Sequence, residues 1–186
     1  MTEHAFDIET KTDFKTLRLA GLMTDTGTMT FCQYRETLKG VDDLLWADVQ
    51  RDDIVYTWNG EGFDYPCLNI PVKDLEAHSV KLIDGYLISK MLYPDRYSHS
   101  LDSWLKDLGG EEDQKLTVDY DNATIAELKD YLNRDLAGTL LVCRHLWGEW
   151  NAICKQTGGD AYRILRMEQG IRRLVNVSRD RGFRLN

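Results

Sequence analysis

Apolar residues are distributed along the chain so as to predict strands first and helices later. The run Ala5-Phe6-Asp7-Ile8-Glu9-Thr10 reads as a strand, whose side chains alternate faces, so that Asp7 and Glu9 point the same way. Residues 17–23 and 28–34 are two more apolar-rich runs. Thr24-Asp25-Thr26-Gly27 joins them with the residues of a hairpin turn. Together these predict a three-stranded antiparallel start.

The period then lengthens. Residues 41–49 have helical apolar spacing, 53–58 return as a short strand, and Gly60 and Gly62 break the chain before a short helix over 63–69. Lys81-Leu82-Ile83 predicts a strand, followed by helical spacing through Leu87, Ile88, Met91 and Leu92. Residues 94–99 read as a loop, and Ser100 caps a helix that stops near Gly109-Gly110. The acidic stretch 110–121 reads as a surface loop. Thr124 caps a helix with Ile125, Leu128, Leu132, Leu136 and Leu140 on one side, and Gly158-Gly159 separates it from a last, Arg-rich helix over 161–179. Leading strands followed by alternating helices and short strands predict an α/β fold, a mixed sheet with helices on its faces.

Composition narrows the class. With 186 residues, 42% hydrophobic and 29% charged, the chain has the make-up of a soluble globular domain with an appended terminal helix. Its apolar runs fall short of the roughly 18 residues that cross a bilayer, and the polar N-terminus does not read as a secretory signal. The expectation is a cytoplasmic protein with no membrane partner. Cys32, Cys67, Cys143 and Cys154 lack Cys-x-x-Cys spacing and predict reduced thiols rather than a zinc site. A net charge of −8 counts against a broad basic face for duplex DNA. It leaves room for a metal-dependent nuclease, because divalent cations reverse the local sign of an acidic pocket.

Three places carry candidate chemistry. Asp7 and Glu9, side by side on a strand, either fray into solvent or share a hard cation such as Mg²⁺ or Mn²⁺. Asp64 follows Trp58-Asn59-Gly60-Glu61-Gly62-Phe63 at a strand end of the kind where α/β sites form; a helix-start aspartate satisfying backbone donors explains it equally. Asn59 and Phe63 likewise suit a turn and a core. In Tyr131-Leu132-Asn133-Arg134-Asp135, helical spacing puts Tyr131 and Asp135 on one face, beside the apolar stripe. Asp135 is then either a surface aspartate or a carboxylate with a partner.

In order, Asp7-x-Glu9-Thr10, Asn59-x-x-x-Phe63-Asp64 and Tyr131-x-x-x-Asp135 resemble the three motifs of the DEDD superfamily of 3′–5′ exonucleases, in its tyrosine-containing branch. Ile83-Asp84, Leu87-Ile88-Ser89-Lys90 and His99-Ser100-Leu101-Asp102-Ser103-Trp104 extend the likeness to the proofreading domain of bacteriophage family-A DNA polymerases. The segment from Met167 to Phe183 resembles the helix that leads from that domain into the polymerase.

The resemblance implies a ribonuclease-H-like sheet, three antiparallel leading strands and then parallel ones, with 1–157 as the exonuclease domain and 158–186 as the connecting helix. It implies two divalent cations, Mg²⁺ or Mn²⁺, held by Asp7, Glu9, Asp64 and Asp135, with Asp7 as the bridge. Tyr131 would orient the attacking water, and Thr10, Asn59 and Phe63 would contact the terminal nucleotides. Asp84 and His99 read as structural. The expected activity is 3′–5′ exodeoxyribonuclease, releasing nucleoside 5′-monophosphates from single-stranded or frayed DNA 3′ ends. The expected partner is a DNA polymerase domain or subunit, in the host cytoplasm if phage-encoded. A ribonuclease D-like exoribonuclease is the alternative, and a retired exonuclease domain that scaffolds a polymerase is a third.

Overall fold

A computed structural model describes residues 1–12, 16–33, 49–68, 79–109 and 118–181. All but the last residue of the helix expected over 41–49, and most of the acidic stretch, 110–117, lie outside the described residues. Among the described residues five strands form one sheet: β1 (Glu3–Thr10), β2 (Leu17–Thr24), β3 (Met29–Gln33), β4 (Ile54–Thr57) and β5 (Lys81–Asp84). Their order across the sheet is β3-β2-β1-β4-β5. β1–β2 and β2–β3 pair antiparallel, while β1–β4 and β4–β5 pair parallel. The hairpin between β2 and β3 closes where expected, with Gly27 at φ 82° and its N–H donated to the Thr24 carbonyl at 3.0 Å. β1 is therefore central. Its carboxylates do not sit on a fraying edge.

Five helices follow among the described residues: α1 (Asp64–Leu68), α2 (Gly85–Leu92), α3 (Leu101–Asp107), α4 (Ile125–Gln156) and α5 (Ala161–Arg181). α4 starts at the expected cap: Thr124 and Glu127 form a reciprocal capping box. It runs for 32 residues, well past Leu140, because its buried stripe continues through Val142, Cys143 and Leu146. α3 starts at Ser100, whose side chain accepts the Ser103 N–H.

Two cores sandwich the sheet. Phe6, Ile8, Leu22, Val55 and Leu82 pack with Tyr65 of α1 on one face, and Ala5, Leu19, Tyr56 and Ile83 pack with Leu128, Leu132 and Leu136 of α4 on the other. Alternation along β1 therefore puts Asp7 and Glu9 on the α4 face with Ala5. His99 Nδ1 lies 2.6 Å from Ser89 Oγ, which also accepts the Trp104 indole N–H at 2.8 Å, pinning α2 to α3. α5 returns to the sheet edge, where Gln169 donates to the β5 carbonyl of Leu82 at 3.1 Å. No described helix is long and apolar enough to cross a membrane.

Candidate active site

Three elements bring carboxylates together. Asp7 and Glu9 project from β1, and Asp135 comes from the third turn of α4; oxygens of the three lie within 4.8 Å of one another. Asp64, the first residue of α1, adds a fourth: it is 1% exposed and its carboxyl hydrogen-bonds that of Asp7. The other buried Asp64 oxygen, Oδ1, has no hydrogen-bond partner among the described residues.

Burial and then crowding set the electrostatics. Burial first, then the charges of Asp7 and Asp135, push Glu9 up to about 9. Burial, and then Asp64 and Asp135, hold Asp7 well above the ordinary carboxylate range. Burial raises Asp64 to about 7, against the lowering effect of its hydrogen bond with Asp7. Hard-oxygen donors that are buried (Glu9, Asp64) or half-buried (Asp7, Asp135) and destabilise one another, one with an oxygen unpartnered among the described residues, fit a divalent cation such as Mg²⁺ or Mn²⁺.

One turn before Asp135, the Tyr131 phenol is hydrogen-bonded to that carboxylate and to the Tyr120 phenol. Burial, followed by the Asp135 charge, raises it above the ordinary tyrosine value. A phenol so displaced keeps its proton at neutral pH and cannot serve as a base.

A cavity of about 310 Å³ opens beside Glu9, lined by Ile8, Glu9, Thr10, Lys11, Thr12, Phe63 and Tyr120. The β1–β2 register slips between Glu9 and Thr10, an irregularity of the kind that re-aims side chains at strand ends. Thr10 and Phe63 thus reach the cavity wall. Asn59 is not among its lining residues. It occupies the turn after β4 with φ 65°, and its N–H is donated to Asp84 Oδ1 at 3.2 Å.

That turn is clamped from both sides. Asp84, the cap of α2, also accepts the N–H of Glu61 at 3.1 Å and of Leu87 at 3.3 Å. Glu61, 1% exposed, receives two guanidinium hydrogen bonds from Arg173 of α5, at 2.7 and 2.5 Å. Asn176 donates to the Glu61 carbonyl at 2.9 Å. Close packing fixes the turn further, since a Cβ on Gly62 would stand 2.3 Å from the Asn59 side chain. Asp64 is thereby presented by a loop tied to β5, α2 and α5.

The structure assembles Asp7, Glu9, Asp64, Tyr131 and Asp135 in one place. Sequence reasoning missed Glu61, Arg173 and Tyr120. The signal for Glu61 was a lone carboxylate between two glycines in an otherwise uncharged turn.

A sequence model of the RNase_H superfamily matches residues 5–137, a span that holds all four carboxylates and Tyr131. No curated protein matches the chain by sequence. Among solved structures, NrnC of Brucella melitensis with bound Mg²⁺ superposes with a TM-score of 0.63 at 15% identity, over 99% of this chain and 90% of that one. The same nuclease bound to pGG gives 0.62 at 16% identity, over 94% and 84%. The family B DNA polymerase of Pyrobaculum calidifontis gives 0.54 at 14% identity, over 80% of this chain. The chain spans only 24% of that polymerase.

Proposed function

The chain belongs to the RNase_H superfamily, and on that premise we propose that it is a metal-dependent 3′–5′ exodeoxyribonuclease. The observation that carries this reading is the convergence of Asp7, Glu9 and Asp135 within 4.8 Å, joined by Asp64 and touched by Tyr131, beside a pocket of about 310 Å³. Asp7, in contact with both Asp64 and the Glu9–Asp135 side, is the residue we assign to two cations at once. Glu9 and Asp135 would hold one and Asp64 the other. When bound, such a pair supplies Lewis-acid stabilisation to the attacking and leaving oxygens of a phosphodiester.

The remaining roles belong to the chain. Tyr131 keeps its proton and orients the attacking water by hydrogen bonding. The pocket takes the terminal nucleotide, with Phe63 against the base and Thr10 near the 3′ end. Asn59 acts through the turn that presents Asp64. The product is a nucleoside 5′-monophosphate.

The setting we favour is proofreading beside a family-A-like DNA polymerase of the bacteriophage type, because the last helix resembles the one leading into that polymerase. A second reading is a nuclease of short oligonucleotides, RNA included. It is favoured by the likeness to NrnC, which takes in 99% of this chain, α5 among it, against 80% for the polymerase. The filled carboxylate positions speak against a retired scaffold.

Incubation of 5′-labelled single-stranded DNA, matched RNA and a dinucleotide with Mn²⁺ tests the proposal. A descending ladder on DNA with a free 3′ end, abolished by a blocked 3′ end, is expected. Cleavage confined to the dinucleotide would favour the second reading, and endonucleolytic fragments would refute both.

A further inference from the structure

Tyr120 lies in the short turn ahead of α4, outside the three motifs, yet its surroundings are built. Arg18 of β2 donates to the Tyr120 carbonyl at 2.7 Å and to the Ala123 carbonyl at 2.6 Å. Thr12, just past β1, binds the next residue twice: its hydroxyl donates to Asp121 at 2.6 Å and its N–H at 3.2 Å. Asp119 braces the turn from within, accepting the N–H groups of Asp121 and Asn122 at 3.1 and 3.3 Å. Hydrogen bonds from β2 and from the segment just past β1 thus fix a residue that sequence alone leaves on a surface loop.

The ring held there has two neighbours. It meets Tyr131 edge-on, centroids 5.8 Å apart at 89°, with the two phenols hydrogen-bonded. It also lines the cavity that Glu9, Thr10 and Phe63 line. Each phenol has one proton, and the Asp135 carboxylate only accepts. The arrangement that satisfies all three groups runs from the Tyr120 hydroxyl to the Tyr131 oxygen, and from the Tyr131 hydroxyl to Asp135.

We infer that Tyr120 is a second tyrosine of the active site: its ring walls the terminal-nucleotide pocket together with Phe63, and its hydroxyl positions Tyr131. This rests on the exonuclease reading above. The two parts separate chemically, since the ring acts on nucleotide binding and the hydroxyl on turnover.

Tyr120→Phe keeps the ring. It is expected to leave KM and the affinity for dTMP within twofold of wild type and to lower kcat by about tenfold. Combined with Tyr131→Phe, it should add nothing further, because both variants break the same chain of hydroxyls. Tyr120→Ala removes the wall and should raise KM, and weaken calorimetric binding of dTMP with Mn²⁺, by about tenfold or more. The thermal midpoint and Mn²⁺ affinity of both variants report folding and the carboxylates, and are expected to stay near wild type. Wild-type kcat in Tyr120→Phe, or a loss additive with Tyr131→Phe, would overturn the positioning role; unchanged KM and dTMP binding in Tyr120→Ala would overturn the wall. A wild-type chain that neither shortens DNA nor binds dTMP would remove the exonuclease reading and this assignment with it.

Discussion

Asp7 stands opposite Gly21 across the β1–β2 ladder. A Cβ at Gly21 would lie 2.8 Å from Leu132 Cδ2 and 2.9 Å from Leu136 Cδ1, the two leucines of α4 that straddle Asp135. The bare backbone at this register position lets the helix settle close enough for Asp135 to reach Asp7. Gly21→Ala meets side-chain atoms alone, Leu132 Cγ among them at 3.2 Å, and a cost of about 1–3 kcal/mol is expected. Gly21→Val should also lift α4 and weaken Mn²⁺ binding by about tenfold or more, measured by calorimetry beside a thermal melt. Unchanged Mn²⁺ affinity in a folded Val variant would show that the close approach does not set the site.

Arg173 and Glu61 make a similar link over longer range. Removing the guanidinium leaves a carboxylate that is 1% exposed without its partner, so Arg173→Ala should destabilise by about 3–5 kcal/mol and lower Tm by roughly 10 °C. Replacing both residues by Met should recover much of that loss, because no unpaired charge stays buried. Calorimetric melts of the single and double variants test this.

The carboxylates make stability depend on pH. Glu9 stands at about 9 and Asp64 at about 7 in the fold, so each holds a proton there that the unfolded chain releases near pH 4. Their contribution is complete below about pH 4 and is lost as pH climbs through the folded values. In EDTA, Tm should fall between about pH 5 and about pH 9, and the increment from added Mn²⁺ should grow over the same interval as cations take the place of protons. A metal-free Tm that rises across this range would contradict the crowded-carboxylate picture.

Tyr131→Phe retains the ring that packs against Tyr120 and loses only the hydroxyl. Wild-type folding and Mn²⁺ binding are expected, with turnover lower by about tenfold to a hundredfold. Asp135→Ala should be the more severe variant and should lose metal affinity as well. Parallel single-turnover assays and Mn²⁺ titrations separate the two.

Much of this was legible in the chain. The strand runs and the Thr24–Gly27 joint fixed the antiparallel start, and Thr124 marked the beginning of α4, because alternation and capping are local signals. Asp7, Glu9, Asp64, Tyr131 and Asp135 stood out as a set through their motifs. What stayed hidden depends on contacts between distant segments. Glu61 and Arg173 are 112 positions apart, and Arg18 reaches Tyr120 across 102. Gly21 looks like any strand glycine until the register sets it against Asp7 and under α4.

The most direct test of the central claim uses Asp7, the carboxylate shared by both halves of the cluster. Asp7→Asn keeps the shape and removes the charge. Wild type should shorten a 5′-labelled single strand stepwise with Mn²⁺ and stop in EDTA. Asp7→Asn should keep its fold, lose Mn²⁺ binding and leave the strand intact. An Asp7→Asn protein that shortens DNA at the wild-type rate would contradict the account.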